Sequence, residues 1–184
     1  MKGVIRLKNK ESKLVQKAIK GNQAAFEQLV KMHYEQIYRT AFLYVHNQED
    51  ALDIVQESTY QALISIHGLK NPEYFMTWFT KIVIRCSSQL LSKRKNDVPL
   101  TDNILSVLTA ESDNITEESM SILEILGKLK ESYRTSLILF YYYDYSIKTI
   151  SGVMEIPEGT VKTYLSRGKD ELKKRLEGER NYEV

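Results

Sequence analysis

Apolar side chains recur at steps of three and four residues through most of this sequence, and this spacing restricts its fold more than any other feature. The clearest run begins at Phe26, and its members are Phe26, Leu29, Val30, His33, Ile37, Ala41, Tyr44 and Val45. Such steps place residues on one stripe of an α-helix, where they are buried together. Because the 184 residues include only 8 glycines and 3 prolines, little turn chemistry is available for an all-β fold. The sequence predicts an all-α protein.

The predicted helices form two groups, separated by a stretch of different composition. The first group comprises helices over 26–45, from Glu49 to about Ile66, and over 73–95. The second comprises helical segments over 119–140 and 147–154, and from Glu158 to about Leu176. Between the groups, residues 96–118 contain a proline, several Ser and Thr residues and only acidic charge, which is typical of a linker. We expect two helical modules, 12–95 and 119–178, joined by a linker over 96–118.

Charge is segregated along the chain, although the formal net charge is only +2. Residues 78–95 include no acid but carry five basic residues, Lys81, Arg85, Lys93, Arg94 and Lys95. Residues 96–118 include no Lys or Arg but carry six acids. This segregation predicts surfaces that meet different partners.

The C-terminal group has the pattern of a helix-turn-helix. Ser146 is suited to cap a short helix over 147–154, and a tight turn follows at Glu155–Pro157. Proline suits the start of the next helix, because its missing N–H would be unpaired there. At about 100° per residue, Val161, Leu165, Leu172 and Leu176 form the buried stripe of that helix.

The opposite face of the last helix carries the residue types of a recognition helix. Hydroxyl groups donate to or accept from base edges, an arginine binds guanine in bidentate fashion, and flanking lysines bind phosphates. We expect the residues that contact DNA to be Thr160, Lys162, Thr163, Ser166, Arg167 and Lys169.

Two motifs in this sequence resemble those of bacterial sigma factors. The segment Asp50-Ala-Leu-Asp-Ile-Val-Gln-Glu57 is similar to their acidic "D-x-x-D-[LIV]-V-Q-E" motif. Residues 145–150 and 159–167 resemble their C-terminal module, written "L-S-Y-x-E-I-A … G-T-V-K-S-R-L-x-R". With the two-module layout, the resemblance is to the extracytoplasmic-function branch of the sigma-70 family and covers about residues 12–176. It implies that the N-terminal module binds core RNA polymerase and the −10 promoter element, and that the C-terminal module reads the −35 element.

The resemblance also assigns roles to residues of the N-terminal module. The matched polymerase-docking residues are Asp50, Asp53, Gln56 and Glu57, and the spacing of the three acids places them on one helix face. The helix over 75–95 resembles the helix that reads the −10 element. Its expected DNA contacts, together with one from the preceding loop over 69–73, are Asn71, Lys81, Arg85, Lys93 and Arg94. We interpret Trp78 as a core residue.

The C-terminal motif departs from the family pattern at three positions. Tyr164 stands where the family usually has arginine, and Thr149 and Ser151 replace a usual Glu and Ala. Because Tyr164 lies at the edge of the buried stripe, its presence removes one expected phosphate contact without affecting the fold. We expect Tyr141, Tyr142 and Tyr143 to lie in the core and at the edge of the module rather than at a cofactor site.

Two other classes of protein were weighed. A simple helix-turn-helix regulator, which does not associate with polymerase, remains the alternative to a sigma factor. An enzyme is disfavoured because no Gly-rich phosphate loop, nucleophile elbow, metal motif or clustered Cys/His pair is present. We therefore expect no cofactor, no metal and no small-molecule substrate.

The expected location is the cytoplasm, without insertion in a membrane. The single cysteine, Cys86, fits a reducing compartment. Residues 1–21 are charged throughout and lack the apolar core of a signal peptide, and no apolar run approaches the roughly 18 residues that a membrane span needs. The family resemblance also implies an anti-sigma factor as a partner, besides core polymerase and promoter DNA.

Overall fold

The computed structural model describes residues 2–97 and 117–180, and these are helical apart from the turns between helices. The eight α-helices are α1 (Lys2–Ile19), α2 (Gln23–Val45), α3 (Gln48–Ser65), α4 (Phe75–Asp97), α5 (Glu117–Lys128), α6 (Glu131–Leu137), α7 (Ile147–Met154) and α8 (Glu158–Arg180). The all-α prediction is confirmed. Most of the predicted linker, residues 98–116, lies outside the described residues.

Asparagine side chains begin two of the N-terminal helices. Asn22 accepts a hydrogen bond from the N–H of Ala25 (2.9 Å), and Asn47 accepts one from the N–H of Asp50 (3.0 Å). These bonds satisfy N–H groups that have no partner within their own helices. Between the two caps, His46 ends α2 in the left-handed conformation, with φ at 50°. The chain therefore reverses between α2 and α3 within two residues.

Helices α1 to α4 enclose the first hydrophobic core. Its fully buried members include Leu29 and Ile37 of α2, Ile54 of α3, and Phe75 and Phe79 of α4. The stripe predicted from Phe26 onwards faces this core, as expected from its helical spacing. Trp78 is half-buried against the same cluster, which confirms its interpretation as a core residue.

Helix α1 was missed by the sequence analysis, which placed the start of the module at residue 12. Its buried residues Val15 and Ala18 complete the first core, and the helix ends at Gly21, whose φ of 89° favours glycine. Charged residues dominate the beginning of α1 and obscured its apolar stripe. The N-terminal module therefore includes a helix that begins before the predicted boundary.

Helices α5 to α8 enclose the second core. Its buried residues include Leu129, Leu139, Ile150, Val161 and Leu165. A π-helical turn over Ile138–Tyr142 follows α6 and brings the chain toward α7. At the crossing of α6 and α8, Gly168 is buried, and a Cβ there would meet Leu137 Cδ1 at 3.2 Å. Glycine at this position permits the close approach of the two helices.

The three consecutive tyrosines have different environments. Tyr141 and Tyr142 are exposed, at 60% and 37%, whereas Tyr143 is half-buried and contacts α2. The prediction that they lie at the module edge is confirmed for Tyr143. It is wrong for Tyr141 as a core residue, because the π-helical turn directs its ring to solvent. Within the described residues, no helix is long and apolar enough to cross a membrane.

Candidate nucleic-acid and polymerase interfaces

The helix-turn-helix is built by local hydrogen bonds around a tight turn. Ser146 accepts from the N–H of Thr149 (3.1 Å) and so begins α7 as predicted. Glu155 ends α7 in the left-handed conformation, with φ at 55°, and Ser151 donates to the carbonyl of Ile156 across the turn (2.5 Å). Ser151, one of the departures from the family pattern, thus stabilises the turn. Pro157 then precedes α8, as expected.

Helix α8 exposes the face that was predicted to read DNA. Val161 and Leu165 are buried, whereas the expected reading residues on the opposite side, Thr163, Ser166 and Arg167, are exposed. The Thr163 hydroxyl donates to the Gly159 carbonyl (3.0 Å). Because a hydroxyl has one proton, Thr163 then offers only acceptor sites to a base edge. Thr160 is half-buried at one side of this surface.

Tyr164 packs within the protein rather than toward DNA. Its ring centroid lies 5.6 Å from that of Tyr133 in α6, and its side chain is half-buried. The aromatic pair stabilises the crossing of α6 and α8. This contact explains how tyrosine is accommodated where the family usually has arginine, and the fold is unaffected, as predicted.

Lys162 and Lys169 lie along one side of α8, and both are exposed. With Ser166 they border a groove of about 340 Å³, whose floor includes Phe140 and Leu165. The two lysines flank the reading residues, which is the arrangement required for phosphate contacts on either side of a base-reading surface.

The acidic motif lies on α3, but its four residues do not share one environment. Asp53, Gln56 and Glu57 are exposed, as a docking surface requires. Asp50 is 5% exposed and forms an ion pair with Arg94 of α4. Burial raises the pKa of the Asp50 carboxyl, and Arg94 opposes that rise. The expectation that Asp50 belongs to the exposed docking set is corrected: its carboxylate joins α3 to α4.

Apolar side chains extend the exposed acidic surface, and the sequence analysis missed them. Leu52, Tyr60, Leu63 and Ile64 are exposed on α3 at 42%, 57%, 37% and 46%. An apolar patch of this kind beside charged residues marks a protein-binding surface. Their spacing from Gln56 was a usable signal, because Leu52, Gln56, Tyr60 and Leu63 recur at steps of four, four and three. The α3 docking surface hereafter denotes these four apolar residues with Asp53, Gln56 and Glu57.

The basic residues of α4 are only partly available. Lys93 and Arg85 are exposed, whereas Arg94 pairs with Asp50 and Lys81 Nζ lies 2.6 Å from Glu155 Oε1 in the helix-turn-helix. The ion pair lowers the pKa of Glu155. Two of the four basic side chains expected to contact DNA are therefore occupied within the protein.

The loop before α4 carries a further exposed aromatic residue. Asn71 is exposed and uses its side chain to accept from the N–H of Glu73 (3.0 Å), which begins a 3₁₀ turn over Pro72–Tyr74. Tyr74 in that turn is 60% exposed. An exposed ring in a loop next to a basic helix is a platform on which a base can stack. The sequence analysis considered Trp78 for this role and overlooked Tyr74.

Comparison with protein families accounts for both surfaces. Residues 29–96 match the model described as Sigma-70 region 2, and residues 119–172 match that described as Sigma-70, region 4. RNA polymerase sigma factor SigV of Bacillus subtilis is 36% identical over 135 residues, which are 73% of this chain and 81% of SigV. The chain belongs to the sigma-70 family. The ECF sigma factor SigW of the same organism is 29% identical over 178 residues, covering 89% of this chain and 95% of SigW.

Solved structures agree with the fold of this sigma factor. The structure of CnrH in complex with the cytosolic domain of CnrY matches with a TM-score of 0.69 at 21% identity, covering 91% of this chain and 97% of that one. The sigma factor RpoE in complex with the anti-sigma factor NepR from Bartonella quintana matches with a TM-score of 0.70 at 17% identity, covering 83% and 96%. The two-core helical architecture is therefore that of known sigma factors.

Family membership decides between the classes of function that were weighed. This sigma factor is a member of the extracytoplasmic-function branch, whose proteins are transcription initiation factors rather than enzymes. A simple helix-turn-helix regulator does not account for the region 2 match over the N-terminal module. No group of three or more His, Cys, Asp or Glu side chains is arranged for a metal ion among the residues with described positions.

Proposed function

We propose that this sigma factor binds core RNA polymerase and directs it to promoters, with the −10 element read by the N-terminal module and the −35 element by the C-terminal module. One observation carries the proposal: surfaces of opposite character lie on two separate cores. The α3 docking surface is acidic and apolar, which suits a protein partner. The exposed face of α8 carries hydroxyls and cations, which suit DNA.

The proposed modules follow the two cores. The N-terminal module comprises residues 12–95 together with the earlier part of α1, and the C-terminal module comprises residues 119–178. Residues 96–118 are the proposed linker. Limited proteolysis of the full chain, with the cut sites read by mass spectrometry, tests these boundaries. We expect cleavage within 96–118 that leaves two folded fragments. Primary cuts inside either core would contradict them.

We propose that the α3 docking surface meets a basic surface of core polymerase. Asp53 and Glu57 supply charge, Gln56 supplies hydrogen bonds, and the exposed Leu52 and Tyr60 supply apolar area. In protein interfaces, apolar and aromatic anchors carry most of the binding energy, whereas exposed charges mainly direct the encounter. We assign Asp50 a supporting role, because its pair with Arg94 holds α3 against α4.

For the −35 element, we propose that Arg167, Ser166 and Thr163 contact base edges. Lys162, Lys169 and Thr160 would contact the phosphates on either side. For the −10 element, we propose that Asn71 and Tyr74 receive an unstacked base. Phosphates of the melted strand would follow the basic side chains of α4, which are Lys81, Arg85, Lys93 and Arg94.

We also propose that an anti-sigma factor regulates this protein in the cytoplasm. Two observations support a regulator of this kind. The matched RpoE structure contains an anti-sigma factor. In this chain the groove beside α8 places apolar Phe140 and Leu165 next to Lys162 and Lys169, the composition that an acidic amphipathic helix would bind.

The test of the proposed function is reconstitution with core RNA polymerase. The purified chain is mixed with core enzyme from its source organism, and transcripts from a promoter library are sequenced. We expect initiation from a subset of promoters that share −35 and −10 sequences. Failure of the folded chain to bind core enzyme, or initiation without sequence preference, would refute the proposal.

A further inference from the structure

The two modules contact each other through hydrogen bonds between buried polar side chains. Tyr44 of α2 is 1% exposed, and its hydroxyl donates to Thr135 Oγ1 of α6 (2.8 Å). Tyr143 and Thr40 form a second bond of 2.5 Å. Because the Thr40 hydroxyl donates to the Gln36 carbonyl, Tyr143 is the donor to Thr40. These residues, with Arg134, are called the latch below.

Arg134 is the centre of the latch. It is only 6% exposed, its Nη1 donates to the backbone carbonyl of Tyr44 (3.2 Å), and its guanidinium lies 5.2 Å from the centroid of the Tyr44 ring. The last turn of α2 has no basic residue of its own. Arg134 therefore supplies, from the other module, the cation that a helix C-terminus favours. These two contacts exist only while the modules are together.

His46 adds a steric contact beside Arg134. A Cβ placed at Gly127 of α5 would lie 3.0 Å from two atoms of the His46 ring. The imidazole is therefore packed against the backbone of α5, and any side chain at Gly127 would press on it. The absence of a side chain at this one position permits α5 to close on the end of α2.

Helix α4 is held at the other edge of the same interface. Lys81 pairs with Glu155 in the helix-turn-helix at 2.6 Å, and Ser88 donates to Glu131 at the start of α6. Lys81 and Ser88 are seven residues apart and so lie on one face of α4. The C-terminal module thus covers part of the basic face that the proposed function assigns to the −10 strand.

The packed arrangement does not permit both promoter elements to be read at once. Elements centred at −10 and −35 are about 25 base pairs apart, or roughly 85 Å along the duplex. A compact chain of this length has a radius of gyration of about 16 Å. Direct hydrogen bonds between the modules therefore require separation before simultaneous promoter contact. This step rests on the proposed function.

We propose that this sigma factor closes on itself: the latch docks the C-terminal module on α2 and α4, and the closed form withholds the basic face of α4 from DNA until the modules separate. The occupant of the surface formed by Thr40, Tyr44 and Lys81 is the chain's own second module. Because the buried contacts are polar, their atoms can be hydrated after separation, which makes the docking reversible.

The test measures energy transfer between dyes on the two modules of the full chain. Cysteines are introduced at the exposed positions Gln28 and Lys173, in a Cys86→Ser background. Two opening variants, Gly127→Leu and Arg134→Met, are compared with Gly152→Leu. That control adds the same side chain to a helical glycine with nothing within 4 Å of its Cβ position. Circular dichroism verifies the helix content of each variant.

We expect high transfer in the parent chain and in Gly152→Leu, and at least a roughly 10-fold larger open population in both opening variants. Low transfer in the parent chain, or unchanged transfer in folded opening variants, would overturn the proposal. Because Arg134 is buried, a surface pair provides a second route. Lys81→Glu is expected to lower the transfer, and Lys81→Glu with Glu155→Lys to restore it. A double variant as open as the single one would also overturn it.

Core polymerase separates this inference from the proposed function. If the latch restrains binding, Gly127→Leu associates with core enzyme faster than Gly152→Leu, by the factor by which its open population rises. Equal association rates, despite a confirmed difference in energy transfer, would overturn the inhibitory role. A chain that changes its energy transfer as expected but never binds core enzyme would instead refute the proposed function.

Discussion

Helices α8 and α4 were both expected to contact DNA, yet they differ in how much of the expected surface is open. On α8, Thr163, Ser166 and Arg167 face solvent as the helical spacing predicts. On α4, Arg94 pairs with Asp50 of the same module, and Lys81 pairs with Glu155 of the other one. The difference teaches that periodicity within one helix identifies its polar face, but not whether a neighbouring element covers that face.

The largest effect is expected at the α3 docking surface, which is exposed in the same way as α8. Reversing two charges with Asp53→Lys and Glu57→Lys should weaken binding to core polymerase by about 2–3 kcal/mol, because attraction to a basic partner becomes repulsion. Titration of labelled core enzyme measures the affinity. The matched control is Glu27→Lys with Glu35→Lys on α2, which reverses two exposed charges elsewhere. Equal losses in both double variants would refute the assigned surface.

On α8, Arg167 and Lys162 separate base reading from phosphate binding. Arg167→Ala should cost about 1–3 kcal/mol and relax the preference at one or two base pairs of the −35 element. Lys162→Ala should weaken binding to all sequences similarly and lower the salt slope by about one. Binding of the full chain to a library of −35 duplexes at two salt concentrations measures both. If the two variants exchanged these behaviours, the rotation assigned to α8 would be wrong.

On α4, the role of Arg94 distinguishes a covered cation from an open one. Arg94→Gln leaves the buried Asp50 carboxylate without its cation, and we expect a loss of about 1 kcal/mol in the free energy of unfolding, because Arg94 is itself half-exposed. Chemical denaturation measures this loss. Adding Asp50→Asn should recover part of it, and Lys93→Gln, at an exposed neighbour, should have little effect. No difference between Arg94→Gln and Lys93→Gln would contradict the pairing.

The smallest effect concerns pH. Burial, with the nearby charge of Arg134, lowers the pKa of His46 to about 4, below its usual 6.5. The closed form keeps the imidazole neutral, so it is fully stable above pH 6.5 and loses stability as the pH falls toward 4. The loss is about 1 kcal/mol by pH 5.5. NMR titration of His46 should give about 4 in the parent chain and a value nearer 6.5 in Gly127→Leu. A parent value near 6.5 would show that the ring is not buried.

Much of the fold could be predicted because its signals are local. The apolar steps of α2, the Ser146 cap and the buried stripe of α8 depend on residues within a few positions of one another. The helix α1 was missed because charged residues at its beginning masked a stripe that is completed only at Val15 and Ala18. Local signals were weakest where the stabilising contacts are made with other helices.

The candidate sites were predictable to the extent that exposure follows from one helix. That reasoning succeeded for Arg167 and Glu57, which project from faces opposite their buried stripes. It failed for Asp50, which shares the acidic motif but is buried by a contact 44 residues away. The latch was not predictable either, because the hydrogen bond from Tyr44 to Thr135 joins residues 91 positions apart.

The comparison between α4 and α8 is tested most directly by the rates at which their lysines react. The full chain is treated briefly with an amine-specific acylating reagent, and mass spectrometry gives the labelling rates of Lys81 and Lys162. Lys81 is held by Glu155, whereas Lys162 is exposed beside the open groove. We predict that Lys81 reacts several-fold more slowly than Lys162, and that Gly127→Leu raises the Lys81 rate without changing that of Lys162. Equal rates in the parent chain, unaffected by Gly127→Leu, would contradict the account.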